Sequence, residues 1–153
     1  MNNTPAAGER TSVVDRLGIR AGMIVQELGY DQDVDHELRT AVEDRLNDEM
    51  VDEDSDEVVD VVLLWFRAED GDLVDTLVDA IAPLADTGVI WLLTPKRGRP
   101  GYVEPSDISE AAPTAGLSQT SILPVAADWT GARLAARRSR AAAERGAAGR
   151  TAR

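Results

Sequence analysis

The chain has 153 residues, and its 28 acidic and 16 basic residues give it a formal net charge of −12. It contains no cysteine and one histidine, which excludes disulfides, thiol chemistry, cysteine-based metal sites and a multi-histidine site within one chain. The longest apolar run covers residues 61–66, far short of the ~20 residues that a membrane span needs. The N-terminus lacks the apolar core of a secretory signal. We therefore predict a soluble, cytoplasmic protein without membrane association.

Strand-like and helix-like patterns alternate through the first half of the chain. Residues 22–28 read as a first strand, and apolar side chains then recur at helical spacing over residues 34–46. The valine-rich run 58–66 is typical of a strand covered on both faces. A second helical stripe covers residues 73–84, and the apolar run 88–94 predicts another buried strand.

The second half of the chain carries weaker patterns. A short helix is predicted to begin at Ser106, whose hydroxyl can cap it, with Ile108 facing inward. Residues 119–126 and 129–136 are strand candidates joined by a tight turn, so they pair antiparallel. Pro124 restricts the first of these two strands to an edge of the sheet.

The order of these elements predicts an α/β fold. We expect a small three-layer, Rossmann-like, mostly parallel sheet with a C-terminal antiparallel hairpin at one edge. The domain is predicted to cover residues 16–136, between a flexible N-terminal arm (residues 1–15) and a disordered tail rich in arginine and alanine (residues 137–153).

A cluster of cations lies inside the predicted domain, directly after the strand 88–94. We call residues 94–102 the basic loop. It follows a strand at the carboxyl edge, where α/β sheets usually place ligands. The candidate residues for an anion or a partner are Lys96, Arg97, Arg99, Gly98 and Gly101. The spacing is not that of a P-loop, and an exposed crossover loop without function is the alternative interpretation.

Acidic residues are concentrated between residues 31 and 60, where 14 acidic residues stand against two basic ones. We call residues 48–57 the acidic segment. Complementary charge would steer a basic protein partner to such a face, and a solvated loop that keeps the protein soluble is the alternative. The candidate docking residues are Asp48, Glu49, Asp52, Glu53, Asp54, Asp56 and Glu57.

The C-terminal tail has the opposite charge, with seven arginines and one glutamate over residues 133–153. Its positive charge makes it the best candidate for a weak, non-specific contact with DNA. A tail that merely balances the acidic body is the alternative. The candidate nucleic-acid residues are Arg137, Arg138, Arg140 and Arg145.

Motifs for catalysis or cofactor binding are missing. The first strand-to-helix connection has Gly29 alone in place of a glycine-rich fingerprint, followed by acidic residues that would repel phosphate. The alternating acids that start at Asp31 lack the glycine and the bidentate acid of a calcium loop. His36 has no serine nucleophile elbow to serve, and the three tryptophans fit core packing. We predict no catalytic residue, no cofactor and no metal.

Four segments in fixed order carry a family resemblance. They are RLGIRAGMIV from residue 16, DVVLLWF from residue 60, LADTGVIWLLTPK from residue 84 and WTGARL from residue 129. They resemble a family of small bacterial proteins of unassigned function, with a degenerate methyltransferase-like Rossmann sheet that has lost its cofactor loop. The acidic stretch GYDQDVDHELRTAVEDRL and the segment LTPKRGRPGYVEPSDISEAAPTAGLSQTS are similar to the actinobacterial branch of that family.

That resemblance implies an oxidative-stress transcription regulator that works with an extracytoplasmic-function sigma factor. A disulfide switch cannot be carried over, because the chain has no cysteine. We therefore expect a non-enzymatic regulator that contacts a sigma factor or a polymerase component. A small-molecule or anion-binding module, or a vestigial methyltransferase-like protein, that uses the basic loop is one alternative. A structural module that forms a homo-oligomer is another.

Overall fold

The structure is a computed structural model that describes residues 13–136. Within these residues one five-stranded sheet has the strand order β1-β2-β3-β5-β4. Its strands are β1 (Val25–Leu28), β2 (Val59–Trp65), β3 (Leu84–Pro95), β4 (Leu117–Pro124) and β5 (Trp129–Ala136). The first three strands are parallel, and β5 pairs antiparallel with both β3 and β4. The predicted α/β sheet with a C-terminal antiparallel hairpin is confirmed, and β4, which contains Pro124, is its edge strand.

Helices cover both faces of the sheet and give it three layers. They are α1 (His36–Leu46), α2 (Leu73–Ile81) and α3 (Pro105–Thr114). Buried residues of α1 pack on one face, and those of α2 and α3 pack on the other. Within residues 13–136, none of the helices is both long enough and apolar enough to cross a membrane.

The α1 face of the core contains all three tryptophans. Trp65, Trp91 and Trp129 are at most 3% exposed, which confirms their predicted place in the core. The Trp91 indole N–H donates to the carbonyl oxygen of Leu17 at 3.0 Å and so anchors the N-terminal segment. Residues 13–17 form a helical turn, and Val14 is buried in the same cluster. The folded part therefore includes residues 13–15, which the sequence analysis assigned to the arm.

The first half of the chain follows the predicted pattern, with shifted boundaries. Helix α1 is capped by Asp35, whose carboxylate accepts from the Leu38 amide at 2.8 Å. Helix α2 ends at Ile81, short of the predicted stripe, because the ring of Pro83 cannot continue a helix. Leu84 instead begins β3, which is longer than the predicted run.

Helix α3 differs from the prediction at its start. Its first residue is Pro105, and Glu104 occupies the cap position without a side-chain hydrogen bond. The prediction of Ser106 as the cap is therefore wrong. Proline fits the first helical position because its fixed φ suits the helix and no amide proton is needed there. Ile108 faces inward as predicted and is 7% exposed.

Candidate functional site

The carboxyl ends of β1 and β2 form the edge where sheets of this type bind cofactors, and we call it the cofactor edge. Such sites lie where the strand order reverses. Val51 makes a single parallel bridge to Gln26 along the edge of β1 that faces away from β2. The chain then crosses to the opposite edge of β1, where β2 pairs with it. The reversal is thus present, but its outer strand is reduced to this single bridge.

Arg67 fills the space between the ends of β1 and β2. It lies two residues after the end of β2 and is 5% exposed. Its guanidinium donates to the carbonyl oxygens of Gly29 at 2.8 Å and Trp65 at 3.2 Å. It also forms ion pairs with Asp33 and Asp70. A buried arginine therefore ties both strand ends to the loop that follows β1.

Charge pairing offsets the cost of burying this arginine. Burial opposes the charged guanidinium, but hydrogen bonds to Asp33 and Asp70 outweigh it and raise the pKa of Arg67. The hydrogen bond from Arg67 in turn holds the pKa of Asp33 below its usual value, against the opposing effect of burial. The guanidinium also lies 5.3 Å from the centre of the Trp129 ring, within the range of a cation–π contact. Arg67 thus remains charged in the folded state.

A second ion pair lies beside β1. Glu27 is 7% exposed and accepts two hydrogen bonds from Arg39 of α1, at 2.6 and 2.8 Å. It also accepts from the indole N–H of Trp65 at 2.9 Å. The hydrogen bond to Glu27 raises the pKa of Arg39. Both oxygens of this strand carboxylate are therefore engaged within the chain.

Gly29 closes the connection after β1. Its φ is +78°, and a Cβ built there would lie 2.2 Å from the carbonyl oxygen of Trp65. Its amide donates to Glu53 at 3.0 Å, so it is not free for a phosphate. Outside these contacts lies an open depression of about 420 Å³, and it is lined by Glu27, Tyr30, Arg39, Asp52, Glu53 and Asp54. Four of these six side chains are carboxylates.

A separate cavity of about 510 Å³ opens beside the basic loop, on the α2 and α3 face of the sheet. We call it the loop cavity. Its apolar walls come from five parts of the chain and consist of Pro95, Val103, Pro105, Ile108, Ile122 and Ala132. Its polar lining residues are Thr94, Lys96, Arg97, Tyr102, Gln119 and Thr130. This combination of apolar walls and a few polar groups is typical of small-molecule sites.

The structure separates the predicted residues of the basic loop. Lys96 and Arg97 line the loop cavity, and the Arg97 guanidinium lies 5.3 Å from the centre of the Tyr102 ring. Arg99 instead forms an ion pair with Asp128 at 3.3 Å and does not line the cavity.

Neither glycine of the basic loop lines the cavity. Gly101 packs against Arg67, because a Cβ there would lie 2.8 Å from the arginine Cβ. Gly98 is exposed. The loop cavity therefore does not use the two glycines, and their part in binding an anion or a partner stays a prediction.

The acidic segment lies on the β1 side of the sheet and is open to solvent. All seven predicted residues, Asp48, Glu49, Asp52, Glu53, Asp54, Asp56 and Glu57, are exposed. Within residues 13–136, none of the seven forms an ion pair with a basic side chain.

Two other predictions concern charged residues elsewhere in the chain. The predicted nucleic-acid residues Arg137, Arg138, Arg140 and Arg145 lie outside the described part of the chain. His36 faces solvent as predicted. In the described part, no group of three or more histidine, aspartate or glutamate side chains is placed to hold a metal ion.

Sequence reasoning missed the internal ion pairs and most of the loop cavity. Arg67 carried one usable signal, since it is the first charge after a buried strand, at the edge where ligand-contacting residues lie. Glu27 gave none. The cavity residues Ile108, Gln119, Ile122 and Thr130 come together only through packing of α3 against the hairpin, which no local pattern encodes.

The fold is that of a methyltransferase-like, Rossmann-type protein. A SAM-dependent methyltransferase from Aquifex aeolicus matches it with a TM-score of 0.58 at 14% identity, over 86% of this chain and 93% of that one. The O-methyltransferase NcsB1 from neocarzinostatin biosynthesis matches with a TM-score of 0.59 at 13% identity, over 86% and 57% of the two chains. At these identities the likeness concerns the fold alone.

The chain belongs to the family described as "Protein of unknown function (DUF3052)", which matches residues 14–138. The uncharacterized protein Rv2239c of Mycobacterium tuberculosis is 52% identical over 136 residues, or 89% of this chain and 85% of the relative. The uncharacterized protein Mb2263c of Mycobacterium bovis matches to the same extent.

S-adenosylmethionine is the group that this fold implies, and the residues at the cofactor edge do not fit it. The space between the strand ends is filled by Arg67, which is held by Gly29, Trp65 and two carboxylates. The Gly29 amide and the Glu27 carboxylate, which lie at the end of β1, are engaged within the chain. A ligand that lay between the strand ends would have to displace a buried, paired arginine, which is energetically costly.

Proposed function

We propose that this protein is a non-enzymatic, small-molecule-binding protein that holds its ligand in the loop cavity. The observation that carries the proposal is the cavity of about 510 Å³ with apolar walls and polar groups on its lining. Its volume is within the range of about 300–1,000 Å³ that is usual for ligand sites. The non-enzymatic part rests on the cofactor edge, which the chain's own ion pairs fill.

The proposal predicts that blocking the loop cavity abolishes ligand binding. Ile122 lines the cavity from β4 and is 57% exposed, so Ile122→Trp would fill the space without disturbing the core. We expect fragments from a panel of small organic molecules to raise the melting temperature of the wild type and not of this variant. A ligand at about 100 times its Kd adds roughly 2.7 kcal/mol of stability, which a thermal melt detects easily.

Val78→Trp is the matched control for this experiment. Val78 is 50% exposed on α2 and does not line the cavity, so this variant should respond to the same fragments as the wild type. A panel that stabilises neither the wild type nor the control would contradict the proposal. Equal stabilisation of all three proteins would place the binding site elsewhere and also contradict it.

A second candidate function is transcription regulation in a stress response, through a cytoplasmic protein partner such as an extracytoplasmic-function sigma factor. The observation that favours it is the acidic segment, whose seven carboxylates are exposed and form no ion pair within residues 13–136. Such a face would attract a basic partner. It lies beside β1, whereas the loop cavity lies beside β3 and the hairpin, so one protein has room for both functions.

This candidate predicts binding that depends on the acidic segment and on salt. Converting Asp52, Asp54 and Asp56 to asparagine should weaken binding of a purified sigma factor from the same genome and reduce its salt dependence. Removal of residues 137–153 should leave that binding unchanged. The matched control makes the same charge change on α2 and α3, at the exposed Asp75, Asp79 and Glu110. Equal loss in both triple variants, or no binding at low salt, would contradict this function.

A further inference from the structure

We infer that the ligand of the loop cavity is a small organic carboxylate with an apolar body. This inference rests on the proposed function and specifies the chemical class of the ligand. It is based on three features of the lining residues: cations without an ion pair, polar side chains without a hydrogen bond, and a scarcity of free backbone amides.

The first feature is the state of the two cations. Among the other arginines of the described region, Arg39, Arg45, Arg67 and Arg99 lie within 4.0 Å of a carboxylate, and Arg16, Arg20 and Arg133 do not. Lys96 and Arg97 have no such partner within residues 13–136, although acidic residues greatly outnumber basic ones in this chain. Two neighbouring cations on the lining of an apolar cavity would bind an anion strongly, because charge-assisted hydrogen bonds are stronger than neutral ones.

The second feature is a set of uncharged polar side chains on the lining of the same cavity. Thr94 at the end of β3 is 5% exposed, and Gln119 and Thr130 come from the hairpin. None of these three side chains forms a hydrogen bond with a residue of the described chain. They are therefore free to bond to oxygens of a ligand whose charged end lies near Lys96 and Arg97.

The third feature distinguishes a carboxylate from a phosphate. Phosphate sites are usually built from several backbone N–H groups, at helix N-termini or in nests. Here Pro95 and Pro105 have no N–H, and the amides of Lys96 and Tyr102 donate to the carbonyl oxygens of Asp128 and Arg99. Among the lining residues of the connection from β3 to α3, this leaves Arg97 and Val103 as those whose amides have no backbone partner within residues 13–136. Because the lining of this connection offers only these two free amides, recognition would rely on side chains, and the planar guanidinium of Arg97 matches the planar shape of a carboxylate.

The apolar walls specify the rest of the ligand. Val103, Ile108 and Ala132 are buried residues of the core that reach the cavity, and Ile122 covers it from the edge strand. Contact with these side chains removes apolar surface from water and is favourable in proportion to the area covered. A very polar ligand such as a small dicarboxylate would leave these walls without a partner. The ligand therefore combines one carboxylate with an aromatic or aliphatic body.

The test compares three probes with the same body: phenylbutyrate, its neutral amide phenylbutanamide, and phenylbutyl phosphate. Binding is measured by calorimetry with the full chain. We expect phenylbutyrate to bind about tenfold or more tightly than the other two, since a hydrogen bond to a charged group changes affinity by about that factor. Lys96→Gln and Arg97→Gln should each remove most of this preference. Arg99→Gln is the matched control in the same loop and should retain it, because Arg99 pairs with Asp128.

Each other outcome contradicts the inference in a distinct way. Equal affinity for the acid and the amide would show that the cavity does not select for charge. That result would contradict the inference that the ligand is a carboxylate, but it would be compatible with the proposed function. Tighter binding of phenylbutyl phosphate than of phenylbutyrate would contradict the inference that the ligand's charged group is a carboxylate. If none of the probes binds and the fragment panel also fails, the proposed function falls together with the inference. Loss of preference in the Arg99 variant would assign the effect to overall charge and overturn the role of Lys96 and Arg97.

Discussion

Replacing Arg67 with alanine is expected to lower the free energy of unfolding by about 1.5–3 kcal/mol, the usual contribution of hydrogen bonds to a charged group, because the side chains of Asp33 and Asp70 are 53% and 35% exposed and water can solvate them in the variant. Arg67 is 5% exposed, and its loss leaves two carboxylates without their cation and the carbonyl oxygens of Gly29 and Trp65 without a donor. Chemical denaturation monitored by tryptophan fluorescence measures the change.

The control for this prediction is Arg99→Ala, in which an exposed ion pair is removed. Arg99 and Asp128 are about half exposed, and such pairs contribute about 0–1 kcal/mol. A similar small loss for the Arg67 variant would show that the cofactor edge is not held together by this side chain. It would also remove the main argument against a cofactor at that edge.

The same variant should change the response to acid. Arg67 lowers the folded-state pKa of Asp33. At pH values between this lowered pKa and the ordinary aspartate pKa, the folded state therefore binds fewer protons than the unfolded state. The resulting stabilisation is complete above the ordinary aspartate pKa and disappears as the pH falls through the lowered value. We therefore expect the stability gap between wild type and Arg67→Ala to narrow on acidification through this window. A gap that widens there would contradict the assignment.

Gly29→Ala is expected to be the second strongly destabilising change. A non-glycine residue in the left-handed region costs about 1–2 kcal/mol, and Gly29 has a φ of +78°. A Cβ there would also lie 2.2 Å from the carbonyl oxygen of Trp65. Because that atom belongs to the backbone, the ends of β1 and β2 would have to separate, and overpacking of this kind adds about 1–3 kcal/mol.

Gly18→Ala separates these two contributions. Gly18 has a nearly identical φ of +76°, but a Cβ there would meet no atom within 4 Å. It should therefore show the conformational cost alone. Equal destabilisation of the two variants in denaturant titrations would mean that the loop after β1 has room to move. That result would contradict the claim that the ends of β1 and β2 lie too close together to admit a side chain at Gly29.

The sequence was sufficient to predict the layers of the fold and their order. The valine-rich run of β2 is buried on both faces, as its composition indicated. The short connection before Trp129 required an antiparallel hairpin, and Pro124 indicated which strand lies at the edge. These features depend on local patterns of polarity and on single residues with restricted geometry, which are visible without coordinates.

The ion pairs of the cofactor edge could not be predicted in the same way. Charged residues are rarely buried unless they are paired, so Glu27 and Arg67 are expected at the surface until their partners are known. Asp33 and Arg67 are 34 residues apart in the chain, and no periodicity relates them. The prediction that the cofactor loop is degenerate was based on missing glycines, and the arginine that the structure places between the strand ends could not be foreseen from them.

The loop cavity illustrates an intermediate case. The basic loop was recognised from its charges and from its position after a buried strand, and two of its three cations line the cavity. The third could not be distinguished from them, because its pairing with Asp128 depends on the turn between β4 and β5. The apolar walls come from α3 and the hairpin, which meet only in the folded chain.

The central claim is that the chain's own side chains occupy the cofactor edge and leave the loop cavity as the ligand site. An amide NMR titration of the full chain with S-adenosylmethionine tests it most directly. The account predicts no saturable shift of the amide signals of Gly29, Tyr30 and Ala68 up to millimolar ligand. Saturable shifts at those three amides, at one ligand per chain, would contradict it.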